Sequence, residues 1–395
     1  MPEADQFPDR QKPSNGRLFI SFLRLGLTAF GGPAMVAYIK RLAVDREHWI
    51  DGESFSQGVT FCQMVPGATA IQTAAYVGLL IEGWTGALVS FVGFGLPAFI
   101  IMVILSSLYV QTAALPASLA VFRGLQIITV AIIASAALSF ARLYLKTWVH
   151  GVLAIIAAVL FFSGVSPIIV ILLAGLLGYL FLREDLQAPH SKEPVMDGTV
   201  TRAFIIITAA AGSLYLLLFF FRRDLFDLAF TMTSVDIFAF GGGFAALPLM
   251  FHQVVDVHAW LDAPTFLNGI ALGQVTPGPI VITATFVGYL VGGLPGALAA
   301  TVGMFAASFL LVIGLAPYFN RLRDSPVYHR IFRGILFSFV GLLVSVTMKF
   351  GMGIPWDIPS IILGAGTFIS LVLGAEILWV VLAGLVISYF MFGIG

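Results

Sequence analysis

Charge is what this chain has least of. Only 10% of its 395 residues are Asp, Glu, Lys or Arg, against about 25% in a soluble globular domain. The cations and anions balance, so nothing indicates a polyanionic partner, and nucleic acid is not expected. Cysteine is equally scarce. Cys62 stands alone, which excludes an internal disulfide framework and a multi-thiolate metal centre. One thiol also argues against a membrane reductase, so neither an enzyme nor a cofactor or metal is expected. No Gly-x-x-x-x-Gly-Lys-Ser/Thr run occurs, so a gradient rather than a nucleotide is the expected energy source. Residues 1–17 are polar and lack the apolar stretch of a cleavable leader, and read as a solvated tail.

What is abundant is apolar. Hydrophobic residues make up 59% of the chain and the mean hydropathy is +1.01. A bilayer core takes about 20 apolar residues per helix, and 13 segments between residues 18 and 392 approach that demand. The expected fold is an all-α integral membrane protein, multi-pass, in contact with the lipid bilayer throughout. Residues 183–202 form the long polar stretch inside the chain.

The chain repeats itself. Phe30-Gly31-Gly32 returns as Phe240-Gly241-Gly242, shifted by 210 positions. Gln63 and Pro66-Gly67 return as Gln274 and Pro277-Gly278, shifted by 211, and Phe122-Arg123-Gly124 as Phe332-Arg333-Gly334, shifted by 210. The expected organisation is a tail at 1–17, a first membrane repeat at 18–182, a linker and connecting helix at 183–225, and a second repeat at 226–395. About six segments fall in each repeat, and the extra helix between them turns the second upside down. Loop charges say the same. The 37–51 loop carries Lys40, Arg41 and Arg46, while its counterpart at 250–262 has no Lys or Arg. Under the positive-inside rule the two lie on opposite sides, as inverted-topology repeats require. The N-terminus is then cytoplasmic. Sidedness improves further if segments 18–39 and 59–81, with their repeat partners, are broken or re-entrant.

The breaks carry the chemistry. A Pro-Gly pair in mid-membrane interrupts a helix, and irregular backbone is tolerated there only against protein or a wet cavity. The half-helix that begins after the break offers free N–H groups and a positive dipole end, which suit an anion. The candidate site residues are Gly31, Gly32, Pro33, Gln63, Pro66, Gly67 and Thr69 in the first repeat. In the second they are Gly241, Gly242, Gly243, Gln274, Thr276, Pro277 and Gly278. Arg24, Arg123 and Arg333 stand in apolar surroundings, where a guanidinium is a functional candidate suited to a tetrahedral oxyanion. The bland alternatives are tight helix packing for the glycines and snorkelling for the arginines. Asp236, four residues before Phe240, is the candidate group for proton coupling.

Phe-Gly-Gly-Pro at 30–33, Gln-Met-Val-Pro-Gly at 63–67, Gln-Val-Thr-Pro-Gly-Pro at 274–279 and the duplicated Phe-Arg-Gly resemble the chromate ion transporter family in its long, two-half form. The resemblance covers nearly the whole chain. It implies secondary active efflux of chromate across a prokaryotic plasma membrane, giving chromate resistance by alternating access. Sulfate or another oxyanion is the alternative cargo, an anion channel the alternative mechanism, and a homodimer a further open arrangement. Gly243 stands where the first repeat has Pro33, so the two breaks need not bind alike.

Overall fold

The computed structural model describes residues 13–30, 34–113, 115–182 and 198–393. Among these, sixteen α-helices and short 3-10 and π turns account for the regular structure. Hydrocarbon has no hydrogen bonds to offer the backbone, so each segment must satisfy its own peptide groups, and a helix does so. Among the described residues, five helical stretches are long and apolar enough to cross a bilayer.

The first half runs α1 (Asn15–Thr28), α2 (Ala34–Lys40), a π-helical turn (Arg41–Arg46), α3 (Gly52–Met64), α4 (Thr69–Thr112), α5 (Pro116–Tyr144), α6 (Trp148–Phe162) and α7 (Pro167–Phe181). After α8 (Gly198–Phe221), the second half runs α9 (Arg223–Ile237), α10 (Ala246–Phe251), a π-helical turn (His252–Val257), α11 (Ala263–Val275) and α12 (Thr283–Leu315). It ends with α13 (Phe319–Arg323), α14 (Pro326–Met352), α15 (Ile358–Val372) and α16 (Ile377–Phe392). The polar linker expected at 183–202 is helical from Gly198 onward, and 183–197 lie outside the described residues. Side-chain caps fix several starts. Asp51 and Asp262 each accept the N–H three residues on. The Ser54 N–H is the main reason the Asp51 carboxyl is held below the usual carboxylate range.

The chain folds back repeatedly, both within segments expected to be broken or re-entrant and between neighbouring segments. Helix α4 loses helical backbone at Glu82 and Gly83, and α12 at Gly292 and Gly293. A Cβ on Gly78 would lie 2.1 Å from the Gly86 carbonyl oxygen. Residues eight apart on one straight helix are about 12 Å apart along its axis, so 69–81 and 84–112 are two antiparallel helices. In α12 the Thr285 and Thr301 hydroxyls meet at 2.7 Å in the same way. A second fold-back lies at each Pro-Gly pair. Tyr76 sits on Gly58, and Phe286 on Gly269, which sets α3 against 69–81 and α11 against the start of α12. The chain also turns back between α1 and α2, where Arg17 reaches Glu47 at 2.8 Å. At the equivalent turn after α9, Thr231 meets His258 at 3.3 Å.

The long helices pack by close backbone approach, as membrane helices do in the absence of a hydrophobic drive between them. Gly93 of α4 lies on the Phe19 carbonyl of α1, and Gly303 of α12 on the Ala229 carbonyl of α9. The remaining contacts cross the sequence. Helix α5 packs on α15 and α16, with Gly124 against Ser388 and Gly384 against Ile128. Helix α14 packs on α6 and α7, with Gly334 against Gly178 and Gly341 against the Ala154 carbonyl. Each half thus lends one long helix to the short pair of the other.

Candidate functional site

Each Pro-Gly break is tied to the other half of the protein. Gly67 and Gly278 have φ of +117° and +113°, in the region that disfavours side chains. The Gly67 N–H donates to the Ala239 carbonyl at 3.0 Å, and the Gly278 N–H to the Ala29 carbonyl at 2.9 Å. Each bond joins the Pro-Gly break of one half to the residue before Phe-Gly-Gly in the other.

A cavity of about 830 Å³ opens at the first of these breaks. Helix 69–81 begins in its wall, and its first N–H groups have no partner within the helix. Opposite stands the loop Gly241-Gly242-Gly243. At Gly242, φ is +91°, and a Cβ there would lie 3.3 Å from the Thr69 hydroxyl, so the missing side chain keeps the cavity open beside the helix start. Gln63, in the last turn of α3, and Ser56 add an amide and a hydroxyl, and Lys40 adds a positive charge. Among the described residues no carboxylate lines this cavity. Amide and hydroxyl donors, a helix N-terminus and one cation without an acid are chemically suited to an anion.

Behind the helix start lies a buried polar cluster. The Ala68 N–H donates to Ser308 Oγ at 3.2 Å, and Ser308 Oγ donates to Asp236 Oδ1 at 2.9 Å. The Ser308 N–H donates to Asp236 Oδ2 at 2.6 Å. Asp236 and Gln72 are fully buried, and Gln72 Nε2 donates to the Pro66 carbonyl at 2.6 Å.

The structure brings Gln63, Thr69, Gly241, Gly242 and Gly243 together around the cavity, with Pro66, Gly67 and Asp236 directly behind. It places the other candidates elsewhere. Gln274, Thr276, Pro277 and Gly278 belong to the second break. Thr276 Oγ1 there donates to its own helix at Leu272, and Gln274 Nε2 is buried without an acceptor. Arg24 lines a separate cleft of about 710 Å³ with Arg17, Arg41, Arg46 and Glu47. Arg123 pairs with Asp357 at 2.6 Å and lies 4.5 Å from the Phe392 ring centre. Arg333, on α14, lines neither cavity. Gly31, Gly32 and Pro33 lie outside the described residues. Sequence reasoning missed Lys40 and Ser56 as cavity residues, and Ser308 altogether. A signal for Ser308 existed, because its counterpart 210 positions earlier is Ala98.

Long apolar helices, folded back at Pro-Gly breaks around a cavity suited to an anion, define a multi-pass membrane transporter. The chain belongs to the chromate transporter family, whose sequence model matches residues 16–179 and again 226–389. An uncharacterized transporter of Methanocaldococcus jannaschii is 40% identical over 390 residues, covering 98% of this chain and 97% of that one. A probable chromate transport protein of Synechococcus elongatus is 30% identical over 352 residues, 88% of each chain. The chromate transport protein of Cupriavidus metallidurans is 29% identical over 356 residues, 89% of this chain and 86% of that one. No solved structure matches.

Proposed function

We propose that this protein is a secondary carrier of tetrahedral oxyanions, with chromate as the cargo, and that the anion sits between the start of helix 69–81 and the Gly241–Gly243 loop. The observation that carries the reading is the acid-free cavity at that helix start, with Lys40 in its wall. Family membership supplies chromate as the ion. A carrier is favoured over a channel because the cavity floor at Gly67 is packed against Ser308, Gln72 and Asp236. Binding alternates between two faces as the halves, taken as inverted repeats with re-entrant breaks, exchange roles. In a resistance role the net movement of chromate is outward across the plasma membrane. Asp236 is the group that couples transport to protons.

Purified protein in liposomes should accumulate radiolabelled chromate saturably. Lys40→Gln should raise KM by about 3- to 10-fold with little change in the maximal rate, and high salt should shrink the difference. Absence of saturable chromate flux under every imposed gradient would refute the carrier. Inversion has its own test. In a background with Cys62 replaced by Ala, cysteines placed at the repeat-related positions Arg46 and Val257 should react with an impermeant maleimide from opposite sides of the membrane. Reaction from one side only would rule out inverted repeats.

A further inference from the structure

The two breaks are alike in backbone but not in polarity. The positions 210 residues before Asp236 and Ser308 are Gly26 and Ala98. At the second break a Cβ on Gly278 would meet the Ala98 methyl at 2.8 Å. At the first, a Cβ on Gly67 would meet Ser308 Oγ, Gln72 Nε2 and Asp236 Oδ1 at 2.1, 2.7 and 3.2 Å. Among the described residues a buried acid therefore stands behind the first break and not the second, although Pro279 and Ile280 of the second also line the cavity.

The acid is wired to the anion site. Ala68 lines the cavity and is the N-cap of helix 69–81. Its N–H reaches Asp236 through one hydroxyl, that of Ser308. Among the described residues no cation is hydrogen-bonded within the cluster. Helices α8 and α12, which pack on α9, carry Arg202, Tyr215 and Tyr289, and α3 and helix 69–81, which flank Gly67, carry Glu53, Cys62 and Tyr76, while α14 carries Tyr328. Tyr215 hydrogen-bonds to Ala229 and Thr233, and Tyr328 to the Met64 carbonyl. The charged groups of α9, Arg223, Asp224 and Asp227, lie in its first turns, with Arg223 paired to Asp227. Gln72 Oε1 is buried without a donor, so with Asp236 ionised the cluster has an acceptor to spare and is short of a proton.

We infer that the oxyanion and a proton bind this protein together, the proton on Asp236, so that the two cross the membrane in the same direction. This rests on the anion site proposed above and fixes the sign of its coupling. A dianion at the start of helix 69–81 and an ionised Asp236 behind it are like charges in a poorly screened interior, and each disfavours the other. Protonation of Asp236 removes the conflict, and by linkage the anion raises the proton affinity of the acid as much as the proton raises that of the site. No bond other than the O–H of the carboxyl forms or breaks. An inward proton gradient then drives the anion inward. Net export of chromate runs as exchange, with another dianion entering on the same protonated carrier.

The test is proton uptake on binding. Detergent-purified protein in weak buffer is titrated with chromate while a pH indicator follows free protons, and Asp236→Asn serves as the reference that also corrects for the titration of chromate itself. The wild type should take up protons beyond that reference, to a limit of about one per anion, and its affinity should rise by up to roughly tenfold per unit fall in pH. Asp236→Asn should bind with little pH dependence, and in liposomes a proton gradient should no longer drive accumulation. Ser308→Ala, which copies Ala98, should weaken the coupling without removing the acid, and it provides a second reading should Asp236→Asn fold poorly. Anion binding with proton release, with no proton change, or with equal uptake in Asp236→Asn would overturn the inference. Absence of chromate binding in the wild type at any pH would instead overturn the proposed function.

Discussion

Thr69→Asp should abolish oxyanion transport while leaving the protein as stable as before, or slightly more so. The substitution places a carboxylate in the first turn of helix 69–81. An acid there is favourable for the helix itself, by about 0.3–1 kcal/mol. It also puts a fixed negative charge where the cargo is proposed to bind. At roughly 5 Å and an effective dielectric of about 20, a unit charge opposes a dianion by about 7 kcal/mol. Half of that still lowers affinity by more than about 100-fold. Thr69→Asn, similar in shape but neutral, should keep most of the activity. Thermal unfolding and chromate flux measured on the same preparations separate the two effects. Wild-type flux in Thr69→Asp would place the anion elsewhere.

The second large effect is expected at Gly67. Its φ of +117° costs a substituted residue about 1–2 kcal/mol, and its Cβ would lie 2.1 Å from Ser308 Oγ. Overpacking adds roughly 1–3 kcal/mol. Gly67→Ala should therefore lower stability by about 2–5 kcal/mol and spread the cluster that links Ala68 to Asp236. Gly83→Ala is the matched control, because Gly83 also has positive φ, at +62°, but an added Cβ would meet nothing within 4 Å. It should show the backbone strain alone, with transport largely retained. Equal loss of transport in both variants would mean that the packing behind Gly67 is irrelevant to function.

Much of the architecture was legible because Pro and Gly leave marks that a membrane helix cannot hide. The Pro66-Gly67 and Pro277-Gly278 pairs announced their breaks, while the spacing of Asp236 from Phe240 said nothing of its place behind Gly67. Length and hydropathy were poorer guides. Residues 226–250, expected to be broken as the repeat partner of 18–39, divide between α9 and α10, and an apolar run alone does not say where it turns. The arginines misled for a related reason. Charge in an apolar segment marks a residue without saying which face of the helix it occupies, and Arg24 faces a different cleft. In Phe-Arg-Gly the arginine drew the functional reading, yet Arg123 and the neighbouring glycines, Gly124 and Gly334, all make close contacts with the opposite half. Such long-range pairing has no local signature. Lys40 was legible only as a loop charge until α2 brought it to the cavity wall.

The reciprocal bonds from Gly67 to Ala239 and from Gly278 to Ala29 bear on ancestry. At Gly67 and Gly278 the interrupted backbone of each half is completed by the other, and each long helix α5 and α14 rests on the short pair of the other half. A gene encoding a single half would yield a product with unpaired amides in lipid. Its chains would have to assemble in pairs, and under the proposed inversion the two members would enter the membrane in opposite senses. Fusion into one chain removes the need to match two products. It also frees the copies to diverge, and the acid at position 236 opposite the glycine at position 26 is a trace of that divergence.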